Sequence, residues 1–193
     1  MHTLHGRAIA FAEGLKLARP DKKILVFTGD GDCLAIGGNH LLHAAKRNID
    51  ITVIMVNNFI YGMTGGQKSP ATPRGVKTKT TPLGNADEAI EGSELAIAMG
   101  ASFVARWTTA HPMQLEKSIV EGIGHKGFSF IEVLSQCPVQ AGKCVYGESD
   151  AMSIMKSYKN IPLKLGTLKN DGDSKEYIEK TETMLLMREV GRG

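Results

Sequence analysis

Two short polar words, each closing an apolar run, carry the chemistry legible in this chain. Residues 24–28 (ILVFT) lead straight into Gly29-Asp30-Gly31-Asp32, and residues 51–56 (ITVIMV) lead straight into Asn57-Asn58. Apolar runs of this length bounded by small polar residues read as buried parallel strands. If their C-terminal ends lie side by side, both words arrive at the edge of the sheet where open α/β folds bind ligands. Glycines let backbone amides come close to a phosphate. Asp30 and Asn58 are hard oxygen donors of the kind Mg²⁺ takes while it also holds a diphosphate. Either word alone is ordinary turn sequence. Together, with residues 32–56 between them, they predict one site.

The elements that must position these residues follow from periodicity. Ala8, Phe11, Ala12, Leu15 and Ala18 recur at helical spacing within residues 5–18, and Pro20 ends that helix. Ile24–Thr28 is expected to be a buried strand, Gly37 to Arg47 a helix, and Ile51–Val56 a second buried strand, a right-handed βαβ unit. After an irregular stretch, the pattern predicts a helix over Ala86–Met99, a strand over Ser102–Thr108 and a helix over Pro112–Gly122 with Thr109 or His111 at its cap. A strand over Phe128–Leu134 follows, then an irregular segment from Cys137-Pro138 and a helix over Asp150–Lys159. A turn at Asn170-Asp171-Gly172 precedes a last helix, with Asp173 and Glu176 placed as a capping box. Alternating strands and helices give an α/β fold with a mostly parallel sheet covered by helices on both faces. Residues 1–160 read as one domain and 161–193 as a C-terminal tail.

Residues 59–86 break the pattern. They are rich in Gly, Pro, Thr and Lys, and from Ile51 to Ala86 there is no Asp or Glu, although Lys68, Arg74, Lys77 and Lys79 fall inside. Such a stretch is expected to be either a solvated mobile loop or one that closes over an anionic ligand or a partner. With 23 basic and 20 acidic residues the net charge is +3, too slight to indicate nucleic acid. No apolar run approaches the ~20 residues of a membrane span, and the N-terminus does not read as a signal peptide. Three cysteines fit a reducing, cytoplasmic setting rather than a disulfide framework. His40 and His43 share a helix face but lack the third ligand a zinc site needs.

GDG, the spacer and NN resemble the thiamine-diphosphate signature. The words around them, from HTLHGRA through HKGFSFIEVLSQCP and including GDGDCLAIGGNH and VNNFIYGMTGGQKSPATPRG, resemble the β subunits of 2-oxoacid:ferredoxin oxidoreductases, most of all the 2-oxoglutarate type. The resemblance implies the thiamine-diphosphate-binding fold, in the half that grips the diphosphate. It implies Asp30, Asn58 and the main-chain carbonyl of Ile60 as Mg²⁺ ligands, and the amides of Gly29, Gly31, Asp32 and Cys33 against the phosphates, with a contribution from the helix starting after Gly37 or Gly38. Tyr61, Gly62, Met63 and Thr64 would form the wall beside the thiazolium ring. His5 would bond the diphosphate or a reaction intermediate. Cys137 matches one ligand of the family's [4Fe–4S] cluster. The other three lie upstream in that family, and neither Cys33 nor Cys144 restores the pattern, so no complete cluster is expected in this chain.

The implied activity is oxidative decarboxylation of a 2-oxoacid with coenzyme A and ferredoxin, or a ferredoxin-like subunit. A partner α subunit would bring the pyrimidine site and the activating glutamate, for which no candidate appears here. Two other readings stay open at this point. A strand ending in Asp30-Gly31-Asp32 resembles the nucleophile and acid pair of haloacid-dehalogenase phosphatases, though Leu34 stands where a small residue is expected and no downstream acidic pair follows. The chain could also be a truncated subunit kept for assembly.

Overall fold

A computed structural model describes residues 1–172 and 177–182. Its centre is a five-stranded sheet. Strands β1 (Leu25–Gly29), β2 (Thr52–Asn57), β5 (Phe103–Thr108) and β6 (Ser129–Leu134) run parallel, in the spatial order β1-β2-β6-β5. Strand β7 (Gly166–Asn170) pairs antiparallel with β5 and closes that edge. Helices α1 (Ala8–Ala18), α2 (Gly38–Arg47), α3 (Gly92–Ala98), α4 (Pro112–Gly124) and α5 (Ala151–Ser157) alternate with the strands. The two-residue strands β3 (Ile60–Tyr61) and β4 (Gln67–Lys68) form a separate hairpin.

Successive strand residues face opposite sides of the sheet, and the core divides accordingly. Val53 and Met55 join Ile9, Ala12, Leu41, Ala44 and Ala96 under α1, α2 and α3. Ile54, Ile131, Val133, Phe103 and Ala105 face the other way, against Leu115 and Ile119 of α4. Every residue of β6 is buried, as is all of β2 except Val56. This is what a strand covered on both faces requires. The register Gly29↔Val56, one residue before Asn57, brings the two polar words to neighbouring positions on one sheet edge.

Several expectations are corrected. The helix expected over Ala86–Met99 starts only at Gly92, because the preceding residues are used otherwise. Ile90 donates its amide to the Pro70 carbonyl, and Asp87, Glu88 and Glu91 pair with Lys68, Arg74 and Arg106. Strand β1, expected to be buried, alternates instead. It lies at the sheet edge, and Leu25 and Phe27 are exposed. Nothing in the sequence reading anticipates β7. The expected capping pair Asp173 and Glu176 lies outside the described residues. Residues 59–86, expected to lack regular structure, carry the β3–β4 hairpin and a set of buried anchors: Ser69, Ala71, Thr72 and Asn85 are all under 5% exposed. Lys68 and Arg74, expected to lack counter-charges, find them at Asp87 and Glu88, just past the acid-free stretch.

Candidate active site

The chain turns helical as soon as β1 ends. Residues 30–31 are helical, and a π-helical turn over Asp32–Ile36 leads through Gly37 into α2. The helix N-terminus nearest the candidate phosphate amides is therefore that of the 30–36 run. The helix expected to start after Gly37 or Gly38 does start there, as α2 at Gly38. At the end of β2, Asn57 accepts the Phe59 amide (2.9 Å) and Asn58 accepts the Ile60 amide (3.2 Å), two successive Asx turns. Between them Phe59 is forced to φ 65°, a left-handed conformation a bulky residue rarely adopts.

An open cleft of about 810 Å³ is lined by His5, Gly29, Asp30, Gly31, Asp32, Ile36, Asn58, Ile60, Tyr61, Gly62, Met63 and Thr64. These are the candidate site residues singled out in the sequence, plus Ile36 and without Cys33 and Cys137. Cys33 is buried, with a thiol pushed up by that burial and by the neighbouring carboxylates, so its side chain is inert and only its backbone can serve. Met63 is fully exposed on the cleft wall.

Asp30 is 2% exposed. Its Oδ2 accepts the Ser69 hydroxyl at 2.5 Å, and the backbone amides of Gly31 and Asn58 lie close enough to favour its charge. Burial outweighs these contacts and pushes the carboxyl up to about 6. Asp32 behaves differently. Its Oδ1 takes the Gly6 amide (2.6 Å) and lies 2.5 Å from His5 Nδ1, while its Oδ2 accepts the Thr28 hydroxyl (2.6 Å). It therefore ties the N-terminal loop to the phosphate loop. With Nδ1–H donated to Asp32, His5 offers Nε2 to a ligand. Tyr61 lays its ring on Gly31, where an added Cβ would come within 2.3 Å of ring carbon, and donates its hydroxyl to the Gly31 carbonyl (3.0 Å). Gly31 is thus needed for this packing as well as for backbone approach. Burial, then the two nearby carboxylates, raise the Tyr61 phenol.

A buried carboxylate with no cation beside it among the described residues, on a cleft that Asn58 and Ile60 also line, offers oxygen donors of the kind that suit Mg²⁺. Among the described residues no three His, Cys, Asp or Glu side chains gather around one point, as zinc or iron would want. Cys137 reaches the same edge, its Sγ within 3.7 Å of where a Cβ on Gly62 would stand, and all three cysteines are free. The sequence reading missed Ser69. It sits thirty-nine residues from Asp30 in a stretch without periodicity, and the only signal was the cluster of small hydroxyl residues in SPAT.

An α/β domain whose adjacent parallel strand ends deliver Gly29-Asp30-Gly31 and Asn58 to one cleft has its candidate site at the sheet edge where open α/β folds bind ligands. The chain belongs to the thiamine pyrophosphate enzymes, among the β subunits of 2-oxoacid:ferredoxin oxidoreductases: the family's C-terminal TPP binding domain matches residues 1–133. It is 62% identical over 143 residues to the 2-oxoglutarate synthase subunit KorB of Methanocaldococcus jannaschii, covering 74% of this chain and 53% of that one. The Archaeoglobus fulgidus subunit of the same name is 56% identical over 138 residues, covering 72% and 52%. The chain spans about half the length of these curated relatives. The solved 2-oxoglutarate:ferredoxin oxidoreductase from Magnetococcus marinus, with 2-oxoglutarate, coenzyme A and succinyl-CoA bound, superimposes with a TM-score of 0.83 at 30% identity. That match covers 95% of this chain and 68% of the other. Neither the phosphatase reading nor the assembly-subunit reading finds support in these likenesses.

Proposed function

We propose that this chain is the diphosphate- and Mg²⁺-binding subunit of an oxidoreductase that converts a 2-oxoacid and coenzyme A to an acyl-CoA and CO₂. The electron pair goes to ferredoxin and the thiol proton to solvent. Asp30, Asn58 and the Ile60 carbonyl would hold the metal, and the amides of residues 29–33 the diphosphate. Tyr61, Gly62, Met63 and Thr64 would flank the ring, with His5 beside them. When bound, thiamine diphosphate supplies the nucleophilic carbon and the electron sink for decarboxylation. The chain's own part is to fix the diphosphate and keep the cleft wall in place. A partner subunit would bring the pyrimidine site and its glutamate. 2-Oxoglutarate is the favoured substrate, because the Methanocaldococcus jannaschii and Magnetococcus marinus proteins carry it in their names. A four-iron cluster would need three thiolates beyond Cys137, and Cys33 is too buried to be one. No described helix is long and apolar enough to cross a membrane, and with three free thiols we place the chain in the cytoplasm.

The observation that carries this reading is Asp30: a nearly inaccessible carboxylate, without a cation among the described residues, on the cleft that Asn58 also lines. Calorimetric titration of the full chain with thiamine diphosphate and Mg²⁺ tests it. Binding is expected to require the metal and to vanish in Asp30→Ala and Asn58→Ala while both variants keep the far-UV spectrum of the parent. Variants that bind as tightly as the parent would show the site to be elsewhere.

A further inference from the structure

The loop after β4 is tied to both strand ends of the site by two hydroxyls. Ser69-Pro70-Ala71-Thr72 forms a tight turn, with the Thr72 amide donating to the Ser69 carbonyl (3.1 Å). Within it the Ser69 amide donates to Thr72 Oγ1 (2.9 Å) and the Ala71 amide to Ser69 Oγ (3.2 Å). Each hydroxyl therefore accepts from a backbone amide and has one proton left to give. Ser69 gives it to Asp30 Oδ2, and Thr72 gives it to the Phe59 carbonyl, both at 2.5 Å. Ser69 is 1% and Thr72 0% exposed, so water does not compete for these bonds. Asn85 holds the turn from behind, donating to the carbonyl of Thr72 (2.8 Å).

What these bonds hold matters more than the bonds themselves. Asp30 is the candidate carboxylate ligand, and a ligand that uses one oxygen is oriented by whatever grips the other. Phe59 sits at φ 65°, immediately before Ile60, whose carbonyl is the candidate main-chain ligand. The strained residue is gripped at both ends, its amide by Asn57 Oδ1 and its carbonyl by Thr72. A rare backbone conformation persists only where its surroundings over-determine it, and such conformations cluster at functional sites. Asn57 is itself held by Glu132 Oε1 (2.8 Å). A carboxylate only accepts, so this bond directs the amide group of Asn57 toward Glu132 and its oxygen toward Phe59.

We propose that Ser69 and Thr72 are positioning residues for the metal site, Ser69 fixing the Asp30 carboxylate and Thr72 fixing the Phe59–Ile60 turn. The inference rests on the function proposed above. It makes the SPAT turn the piece that registers the acid-free loop against the ends of both β1 and β2.

The test compares variants that keep shape with variants that keep the hydroxyl. Mn²⁺ serves as a paramagnetic probe, titrated into the full chain in the presence of thiamine diphosphate and read by electron paramagnetic resonance. Thr72→Val and Ser69→Ala are expected to weaken Mn²⁺ binding about 10–100-fold, and Thr72→Ser to return within about threefold of the parent. A role in loop closure alone would move stability but not metal affinity. Parent-like affinity in Thr72→Val and Ser69→Ala, or Thr72→Ser as weak as Thr72→Val, overturns the proposal. If Thr72→Val does not fold, Ser69→Ala carries the test, since it removes a single hydroxyl. Crystal structures of the metal-free variants give a second readout. Phe59 is expected to leave positive φ in Thr72→Val and the Asp30 carboxylate to rotate in Ser69→Ala. If both stay put, the proposal fails. A parent that takes up no Mn²⁺ with the cofactor would instead refute the proposed function, leaving these structures to judge the clamp.

Discussion

Asp30 and Glu132 are both 2% exposed, and both lie where β2 ends or one strand away from it, yet they are furnished in opposite ways. Glu132 Oε2 accepts the Arg106 Nε–H (2.8 Å), the Ser93 hydroxyl (2.6 Å) and the Ser93 amide (3.3 Å). Its Oε1 accepts the Asn57 amide group. Arg106, also 2% exposed, gives its second nitrogen to Glu91. Every charge in that cluster has a partner, as a buried ion pair must. Asp30 has one hydroxyl and backbone amides, and no cation among the described residues. Burying a carboxylate this way is costly unless something positive arrives. On the proposed function, the contrast separates a carboxylate that serves the fold from one that would serve a ligand, and it can be broken by substitution.

The largest effect is expected at Glu132. Glu132→Ala strands the buried Arg106 guanidinium and releases Asn57. Removing one partner of a buried pair costs about 3–5 kcal/mol, so urea unfolding should shift by that order or the variant should fail to accumulate folded. A loss well under 1 kcal/mol would mean that Arg106 relaxes to solvent and that the cluster is not the structural counterpart described here.

Asp30 should respond with the opposite sign. Its folded-state value near 6 lies above the ordinary 3.8. The metal-free fold therefore binds this proton more tightly than the unfolded chain does. The stability linked to the proton is fully present below pH 3.8 and is lost as pH rises through about 6, a penalty on the order of 3 kcal/mol at neutral pH. Asp30→Asn removes that penalty, so the metal-free variant is expected to be more stable than the metal-free parent at pH 7.5, with the gap shrinking to about 1 kcal/mol near pH 4.5 and closing below pH 3.8. Saturating Mg²⁺ and thiamine diphosphate should reverse the order at pH 7.5 by stabilising only the parent. A variant less stable than the parent at both pH values, without ligand, would show that Asp30 is compensated after all.

The same contrast explains what was legible in the sequence. Strands β2, β5 and β6 announce themselves because burial on both faces demands apolar runs, and the small polar words at their ends mark the site edge. GDG and NN place Asp30 and Asn58 correctly at neighbouring positions because parallel pairing fixes where strands of similar length end. Strand β7, in LKLGTLKN, is short, half-exposed and rich in Lys, so no pattern of two faces stands out. The late start of α3 goes with ion pairs made by Asp87, Glu88 and Glu91 with residues 14 to 19 positions away along the chain, which periodicity cannot contain. Ser69 and Thr72 escaped for the same reason. Their contacts to Asp30 and Phe59 bridge 39 and 13 residues and involve single hydroxyls, a signal no window of sequence carries.

The smallest effect is expected within the acid-free loop, which divides into anchored and exposed layers. Ser69, Thr72 and Asn85 form the anchored layer, and the Gly75 amide to the Asn85 carbonyl (2.7 Å) and the Asn85 amide to the Val76 carbonyl (2.9 Å) close its neck. The exposed layer holds Lys68 with Asp87 and Arg74 with Glu88. Lys68 holds the Asp87 carboxyl below its usual range, first through the hydrogen bond and then through its charge. Asp87, Arg74 and Glu88 side chains are each more than two-thirds exposed, where ion pairs contribute little and salt screens them. The double variant Asp87→Asn with Glu88→Gln is therefore expected to leave global unfolding unchanged and to speed amide exchange in residues 77–84 by a few-fold at low salt. High salt should erase the difference, and the amides of Ser69, Thr72 and Asn85 should stay protected. The hydroxyls and Asn85, not the surface charges, fix the loop against the site. If exchange at Ser69 and Thr72 also rises in the double variant, the two layers open together and the charges hold the site wall after all.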